Sequence, residues 1–297
     1  MSNLSKPLIS IIIPTYNHSR YLGRALQSIH DQKYENWEVI IVDNHSTDDT
    51  FNVVKKFDDQ RVNYLKIHNG GIIAASRNMG INAARGDWLA FLDSDDWWSI
   101  DKLEVCSKYI DGNIDLIHHD LDVVYDQPSF FNRRLTISRQ LKFPALKDLL
   151  IKGNAIVNST VIVRKKLINK IGGISEDPNM VASEDYNTWL RIAVLTDQFK
   201  YIPKSLGWYQ VHTNGISQRD MSKSNHAAIA EFKDQLTSDQ LCETDKLLSY
   251  LSGRFNFLKK EYVSAELALK KALPSKNIQI TLKAIIMLAI IALIKKS

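Results

Sequence analysis

Carboxylate side chains cluster directly after one strongly apolar segment of the chain. Asp93, Asp95 and Asp96 follow the run WLAFL at 88–92, which is typical of a strand buried on both faces. Like charges this close together repel one another, so the cluster is unfavourable unless a cation compensates it. Mg²⁺ and Mn²⁺ suit hard oxygen ligands and commonly hold a diphosphate at the same time. The spacing therefore predicts a divalent-cation site, with a surface cluster that caps the next helix as the alternative.

Strand and helix patterns alternate through about the first 95 residues. A continuous apolar run predicts a strand at 10–14, and segments rich in apolar residues predict further strands at 37–42, 62–67 and 88–92. Possible caps at 17–19 and 46–49 precede two predicted helices, the second carrying Val53, Val54 and Phe57, and a third is predicted at about 72–84. Alternation of this kind is typical of βαβ units. It predicts an α/β fold with a mostly parallel sheet and ligands at the carboxyl ends of its strands.

Two common phosphate-binding motifs do not follow the first strand, namely Gly-x-Gly-x-x-Gly and Gly-x4-Gly-Lys-Ser/Thr. Five other segments, in order, resemble glycosyltransferase family 2 over about residues 8–215. They are IIPTYN at 12–17, VDNHSTD at 42–48, SRNMG at 76–80, FLDSDDW at 91–97 and SEDYNTWLR at 183–191. The resemblance implies an inverting enzyme that uses nucleotide-diphospho-sugars. It also implies the GT-A fold, a Rossmann-like, mostly parallel sheet flanked by helices.

The resemblance implies a donor nucleotide site built from seven residues. Thr15 and Asp43 would flank the nucleobase and ribose, with Asp43 accepting the N3–H of uracil, which favours UDP-hexoses or UDP-N-acetylhexosamines. Arg77 would contact the donor phosphates, because a guanidinium can bind two oxygens at once. A strand-end turn residue and a solvated helix arginine are the alternatives for Asp43 and Arg77. The full set is Pro14, Thr15, Tyr16, Asp43, Arg77, Asp93 and Ser94.

One residue of this predicted nucleobase site departs from the family pattern. The family usually has glycine where His45 follows Asp43-Asn44. If the position requires a positive φ, histidine tolerates it better than most residues but is strained. The nucleobase pocket would then have a different shape.

Asp95 and His212 are the metal ligands that the resemblance implies, with Mn²⁺ or Mg²⁺ as the cofactor. His212 ends the segment WYQVH at 208–212, which is similar to a Tyr-Arg-x-His stretch of the family but has Gln210 in place of the arginine. The phosphate contact would then be weaker or come from elsewhere, and a structural histidine is the alternative. Asp96 is expected to cap the following segment.

A second acidic pair, Glu184-Asp185, begins a predicted amphipathic helix. The resemblance implies a catalytic role for this pair, with Asp185 as the base that takes the proton of the acceptor hydroxyl. Its reference pKa near 3.9 and the helix start predict an ionised carboxylate at neutral pH. The alternative is that both acids only complement the helix dipole. The pair Glu176-Asp177 is set aside because Pro178 follows it, and the adjacent histidines at 118–119 are set aside as a zinc site because neighbouring strand residues point to opposite faces.

Composition limits the classes of protein that the chain can represent. Its 297 residues contain only two cysteines, Cys106 and Cys242, which excludes a disulfide framework and fits a reducing cytosol. The first six residues are polar and do not predict a secretory signal. A net charge of +5 suits anionic partners such as a nucleotide-sugar or an anionic membrane surface. No motif for nucleic acid is present.

The C-terminal part, 221–297, is predicted to be a helical appendage to a glycosyltransferase domain at 1–220. Its last helix, 278–294, has an apolar core at 284–294 that is shorter than the roughly 20 residues of a spanning helix. Six lysines surround it, which favours a helix lying in the interface of the inner leaflet. Packing on the tail's own core or on a partner chain is the alternative. The lysines are Lys270, Lys271, Lys276, Lys283, Lys295 and Lys296.

The resemblance and the basic, apolar tail together imply an inverting, metal-dependent glycosyltransferase, peripheral on the cytoplasmic face of the inner membrane. It would extend a lipid-linked saccharide in bacterial polysaccharide assembly, such as that of O-antigen or capsule. The alternatives are a catalytically silent sugar-nucleotide-binding module and a transferase that acts on a protein or a soluble acceptor. A dehalogenase-like phosphatase expects Thr or Val where Trp97 stands, and a nucleotidyltransferase expects a Gly-rich basic loop after the first strand. The transferred sugar and the oligomeric state stay open.

Overall fold

The computed structural model describes residues 6–110, 112–126, 138–212 and 220–295. The polar N-terminal residues 1–5 and Lys296, both used above, lie outside the described residues. Within them the chain forms one eight-stranded sheet in the order β3-β2-β1-β4-β7-β6-β8-β5. The strands are β1 Ile9–Thr15, β2 Trp37–Asp43, β3 Val62–Lys66, β4 Trp88–Phe91, β5 Trp97–Trp98, β6 Leu116–Tyr125, β7 Ile162–Arg164 and β8 Phe199–Val211.

The four predicted strands are confirmed to within one residue at each end. Four of the seven strand pairings in the described sheet are parallel, β1 with β2 and β4, β2 with β3, and β6 with β8. The remaining pairings, β4 with β7, β6 with β7 and β5 with β8, are antiparallel. The predicted α/β class with a mostly parallel sheet is therefore confirmed.

Eleven α-helices of the described residues cover both faces of this sheet and form the C-terminal part. They are α1 Ser19–His30, α2 Thr50–Lys55, α3 Ile73–Ala83, α4 Lys102–Ser107, α5 Ala145–Lys152, α6 Lys165–Lys170, α7 Glu184–Leu195, α8 Met221–Ile229, α9 Ser238–Leu258, α10 Tyr262–Lys271 and α11 Ile278–Ile294. The prediction that Phe57 lies on the second helix is wrong. That helix ends at Lys55 because a turn follows, in which the Asp59 carboxylate accepts the backbone N–H of Arg61.

Apolar side chains that alternate along the strands fill two cores, one on each face of the sheet. In β1, Ile11 and Ile13 belong to the core that α1 and α4 cover, whereas Ile12 belongs to the core under α3, α5 and α7. Both cores close tightly around the strands, so the carboxyl strand ends are left free to hold polar groups.

The C-terminal helices pack on the rest of the protein and also on one another. Helix α8 contributes Ala228 and Ile229 to the core under α3, α5 and α7. On α9, the Thr244 hydroxyl donates to the Leu150 carbonyl at 3.2 Å, and the Leu247 side chain lies beside Gly153. A third apolar cluster joins α9, α10 and α11. The division into 1–220 and 221–297 stays a prediction, but the structure gives the separate cluster a later start, near Leu247.

Helix α11 is apolar on two faces, only one of which is covered. Ile280, Ala284 and Ile291 are buried against α9 and α10. Of the helices within the described residues, none combines the length and apolar character needed to cross a membrane. The uncovered side chains are Ile278, Leu282, Ile285, Ile286, Ile290, Leu293 and Ile294.

Lys102 is an unusual member of the core beneath α1 and α4. Its side chain is fully buried, and its Nζ lies 3.3 Å from the centroid of the Trp98 ring and has no hydrogen-bond partner among the described residues. Burial lowers the pKa of Lys102 to about 7. The charge therefore opposes folding fully below pH 7, and this opposition fades as pH rises towards the unfolded value near 10.5.

We expect Lys102→Met to raise the free energy of unfolding, because it keeps the packed stem and removes the buried charge. The gain should be larger at pH 6 than at pH 9, as measured by urea unfolding. A Lys204→Met variant, which removes an exposed lysine, provides the control. Loss of stability in Lys102→Met at both pH values would contradict this account.

Candidate active site

The acidic cluster that the sequence singled out lies at the carboxyl end of β4. Asp93 and Asp95 expose 29 % and 22 % of their side chains, whereas Asp96 is buried. Burial and the charge of Asp93 raise the pKa of Asp95. Burial, followed by the charges of Asp95 and Asp93, raises the pKa of Asp96. The repulsion expected from the sequence is thus present, and it falls on groups that a cation would stabilise.

Asp96 braces the site and does not cap the next segment. Its carboxylate accepts the Ser159 hydroxyl at 2.5 Å and the backbone N–H of Gln210 at 2.9 Å. The prediction of a cap is therefore wrong, because the side chain points into the protein and joins β8 to the 3-10 turn Asn158–Thr160. The neighbouring Asn158 side chain donates to Asp93 at 3.0 Å. This turn holds the acidic cluster in place.

Arg77 joins the two acidic motifs. Its Nη2 lies 2.8 Å from Asp93 and its Nη1 lies 2.5 Å from Glu184, 107 positions away in sequence. Only 3 % of Arg77 is exposed. Burial lowers the pKa of Arg77, but the charges of Asp93 and Glu184 outweigh it and raise that pKa. The structure thus places Arg77 in a buried charge bridge, which is the pair of ion pairs that it forms with Asp93 and Glu184. The sequence had suggested a contact between Arg77 and the donor phosphates.

Asp185 begins α7 beside this bridge and is only partly covered. Burial, and then the charge of Glu184, raise the pKa of Asp185 to about 7, although Arg77 and the N–H of Tyr186 act in the opposite direction. The sequence predicted an ionised carboxylate at neutral pH from the reference value, whereas this environment raises the pKa of Asp185 towards the neutral range. A pKa near the working pH is what a general base needs. Glu184 is buried and bound to Arg77, so it positions the pair.

This pKa predicts how activity depends on pH. The base must be ionised to accept a proton, so transfer should rise as pH increases through about 7 and level off above it. Glu184→Gln removes the second-largest cause of the shift and should move the midpoint of the rise to lower pH. Initial rates between pH 5 and 9 measure both effects, with Asp177→Asn as a control whose midpoint should not move. A rate that is independent of pH across this range in the wild type would contradict the assignment.

The predicted nucleobase residues meet where β1 and β2 end side by side, with Thr15 paired to Asp43. Asp43 is buried, and its carboxylate accepts the N–H and hydroxyl of Ser46 and the hydroxyl of Tyr64. The Thr15 hydroxyl is buried and has no hydrogen-bond partner among the described residues. Tyr16 is 53 % exposed and could cover a bound base, whereas Pro14 is buried in β1. These residues are together, but much of the hydrogen-bonding capacity of Asp43 is already used.

His45 adopts the left-handed backbone conformation that the family comparison of the sequence suggested, with φ 54°. Its ring stacks on the ring of His68, with 3.6 Å between the centroids. The stack joins the loops that follow β2 and β3. The two stacked imidazole rings therefore lie beside the end of β2, next to the predicted nucleobase residue Asp43.

His212 lies beside Asp95, as predicted for a shared metal site. Its Nε2 is 3.0 Å from the Asp95 carboxylate, and its Nδ1 is 3.1 Å from Asp126. Three residues of this region were missed by sequence reasoning: Asp126, Arg24 and His18, whose Nδ1 lies 2.7 Å from the Ser94 hydroxyl. His18 was considered only as a helix cap. The only local signal for them was a polar residue beside a predicted element.

The metal ligands predicted from the sequence are a suitable but incomplete set. The described residues contain no group of three or more His, Cys, Asp or Glu side chains arranged to hold a metal ion. Asp95 and His212 would supply two ligands, with Asp93 nearby. Mg²⁺ usually binds one or two carboxylates and completes its shell with substrate phosphates and water. The residues therefore fit a cation that binds together with a diphosphate.

A cleft of about 200 Å³ brings the arginine bridge and both acidic motifs to one surface. The predicted site residues that line it are Arg77, Asp93, Glu184 and Asp185. Pro14, Thr15, Tyr16, Asp43, Ser94, Asp95 and His212 are not among its lining residues. The cleft thus contains the proposed base and one end of the acidic cluster.

A mostly parallel sheet with these acidic groups at its strand ends is the architecture of a GT-A glycosyltransferase. The family model described as Glycosyl transferase family 2 matches residues 10–172, more than half of the chain. The protein belongs to this family.

Two bacterial glycosyltransferases are among the relatives that are similar to this chain. It is 27 % identical over 215 residues to the "Putative teichuronic acid biosynthesis glycosyltransferase TuaG" of Bacillus subtilis, covering 71 % of this chain and 82 % of that one. It is 31 % identical over 190 residues to the "UDP-Glc:alpha-D-GlcNAc-diphosphoundecaprenol beta-1,3-glucosyltransferase WfgD" of Escherichia coli, covering 62 % and 69 %.

Solved structures share the fold. S. aureus TarS 1–349 has a TM-score of 0.64 at 21 % identity, covering 90 % of this chain and 81 % of that chain. The mannosyltransferase PcManGT from Pyrobaculum calidifontis, in complex with GDP-Man and Mn²⁺, has a TM-score of 0.65 at 18 % identity, covering 99 % and 82 %.

Proposed function

We propose that this glycosyltransferase transfers a sugar, with inversion, from a UDP-sugar to a lipid-linked saccharide in bacterial surface polysaccharide assembly. The observation that carries the proposal is Asp185, a carboxyl with a pKa of about 7 that shares one cleft with Asp93 and Arg77. Asp185 is thus a base that lies beside the residues that would hold the donor.

The reaction is a single displacement at the anomeric carbon. Asp185 accepts the proton of the acceptor hydroxyl while that oxygen forms the new bond to the anomeric carbon. The bond between the anomeric carbon and the diphosphate breaks at the same time, and its electron pair leaves with the diphosphate. Arg77 holds Glu184 and Asp93, and so fixes the base relative to the donor. When bound at Asp95 and His212, a divalent cation would supply Lewis-acid stabilisation of the leaving diphosphate.

The identity of the substrates draws on the relatives. The name of WfgD gives a UDP-glucose donor and an acceptor linked to diphosphoundecaprenol, and TarS 1–349 was solved with UDP and with UDP-GlcNAc. We transfer the donor class and the lipid-linked acceptor to this chain as part of the proposal. The Asp43 carboxylate at the end of β2 is compatible with uracil.

The test is a turnover assay with UDP-glucose, UDP-galactose, UDP-GlcNAc and GDP-mannose as donors and a short-chain lipid-diphosphate GlcNAc as acceptor. We expect one UDP-sugar to be used, with the anomeric configuration inverted in the product by NMR. EDTA should remove most of the activity, and Mn²⁺ or Mg²⁺ should restore it. Turnover only with GDP-mannose would contradict the UDP-sugar donor, and retention of configuration would contradict the inverting mechanism. Full activity in EDTA would contradict the need for a divalent cation. Binding of UDP without transfer or hydrolysis would favour the silent module.

We also propose that the uncovered apolar face of α11 lies on an anionic membrane surface, on the cytoplasmic side. Lysines precede and follow the apolar segment of α11 in the sequence, although Lys270 and Lys295 pair with Glu266, and Lys276 pairs with Asp239. Such exposed ion pairs contribute only about 0–1 kcal/mol, so lipid phosphates can compete for these lysines. Apolar burial plus about 1 kcal/mol per basic residue near an anionic surface favours binding.

We expect Ile286→Glu/Leu293→Glu to lose binding to phosphatidylglycerol vesicles by at least about tenfold, because it places two charges on the apolar face. Vesicle flotation measures this, and 1 M salt should weaken wild-type binding, since the Debye length falls to about 3 Å. Val194→Glu, at an exposed position of α7, is the matched control. Equal binding by both variants, or a wild type that dimerises and ignores vesicles, would contradict the membrane proposal.

A further inference from the structure

Arg24 on α1 carries an exposed guanidinium that reaches the acidic cluster. Its Nη2 donates to the main-chain carbonyl of Asp95 at 2.9 Å and to the side-chain oxygen of Gln210 at 3.1 Å. Its guanidinium carbon lies 3.4 Å from the centroid of the Trp97 ring, and Trp97 in turn stacks on Trp208. Three contacts thus hold one cation beside Asp95.

These contacts belong to a closed circuit of hydrogen bonds around the predicted metal site. Gln210 donates through its Nε2 to Asp126 at 3.0 Å, and Asp126 lies 3.1 Å from His212 Nδ1. His212 Nε2 returns to Asp95 at 3.0 Å. Arg24 is therefore linked by hydrogen bonds to the residues that would hold the cation.

The guanidinium retains capacity for a ligand. Within the part of the chain that the structure describes, both of its hydrogen bonds come from Nη2, so Nε and Nη1 are left for a ligand. Arg77, the other arginine near the acidic cluster, is buried and bound to Asp93 and Glu184. A diphosphate bound at Asp95 needs positive charge that is still accessible, and Arg24 provides it.

We propose that Arg24 binds the diphosphate of the donor and so is a binding residue of the transfer reaction. This inference rests on the proposed use of a nucleotide-diphospho-sugar. A guanidinium that is already oriented by stacking and hydrogen bonds loses little freedom when it binds two phosphate oxygens. The contact would strengthen binding of diphosphates and leave binding of the nucleoside unchanged.

The test compares the affinity for UDP with the affinity for uridine, each measured by isothermal titration calorimetry in the presence of Mn²⁺. Where a ligand binds too weakly for direct titration, a competition titration gives its affinity. Arg24→Gln should weaken UDP binding at least tenfold and change uridine binding by less than twofold. Arg20→Gln, which removes the same charge one helical turn earlier, should leave both affinities within twofold. Equal UDP affinity in Arg24→Gln and wild type, or equal losses for UDP and uridine, would overturn the inference. So would an equal loss in Arg20→Gln.

A second variant relocates the charge. Because the side chains of Arg24 and Gln210 touch, Arg24→Gln/Gln210→Arg returns a guanidinium to the same place. We expect this double variant to recover UDP binding to within about threefold of wild type, and no recovery would count against the proposal. A wild type that binds neither UDP nor GDP would contradict the proposed function itself, whereas UDP binding that is indifferent to Arg24 contradicts only this inference.

Discussion

Asp185→Asn is expected to lower the transfer rate by at least about 10²-fold while the protein stays folded and binds UDP almost normally. The amide keeps the size and shape of the side chain but has no basic carboxylate to accept the proton. A positioned general base contributes about 10²–10⁴-fold, or roughly 3–5 kcal/mol of the barrier. Initial rates at saturating donor measure the loss, and UDP titration shows whether binding survives.

Asp177→Asn is the matched control for this substitution. It makes the same chemical change in the acidic pair that precedes Pro178, where Asp177 caps the 3-10 turn Pro178–Met180. The control should transfer sugar at close to the wild-type rate. If the two variants exchange behaviours, the base lies in the other acidic pair.

Arg77→Met should destabilise the protein by about 3–5 kcal/mol and abolish transfer. Removal of the guanidinium leaves Glu184 buried without its cation and leaves Asp93 with the hydrogen bond from Asn158 but without its ion pair. Breaking one side of a buried ion pair is costly because the remaining charge has lost both water and its counterion. Urea unfolding monitored by tryptophan fluorescence measures the change in the free energy of unfolding.

Two further variants separate charge from packing at Arg77. Arg77→Met/Glu184→Gln removes the unpaired charge and should recover part of the stability without recovering activity. Lys204→Met breaks the exposed pair with Asp101 and should cost no more than about 1 kcal/mol. If Arg77→Met is no less stable than Lys204→Met, the charge bridge does not contribute as described.

The parallel half of the fold was predictable because most of its strands are rich in apolar residues. Three of the four predicted strands, β1, β2 and β4, are fully buried, and burial on both faces requires the apolar segments that the sequence shows, whereas the edge strand β3 is only partly buried. Strand β5 and the pairing of β6 with β8 were not predicted. They depend on contacts between distant segments, such as Trp97 with Trp208, which leave no periodic pattern.

The residue types of the candidate site were predictable from the sequence, but their protonation and their pairing were less so. The position of Asp93 and Asp95 after a predicted strand and the resemblance to the family identified Asp93, Asp95 and Asp185, but sequence reasoning assigned Asp185 its solution pKa and did not show that Arg77 pairs with Glu184. Burial and pairing across 107 positions decide both properties, and neither can be read from neighbouring residues. For the same reason Arg24 was missed, since Gln210, which it contacts, is 186 positions away.

The packing of Thr244 against α5 and of Leu247 beside Gly153 has a consequence for how the enzyme would meet its acceptor. This packing fastens α9, and through it α10 and α11, to the catalytic half. On the proposed membrane surface, the cleft would therefore stand at one fixed height and tilt above the lipid. A lipid-linked acceptor confined to that layer is present at a high effective concentration, and only sugars at the matching distance from the lipid come within reach. The C-terminal helices would thus select acceptors by the distance between the sugar and the lipid.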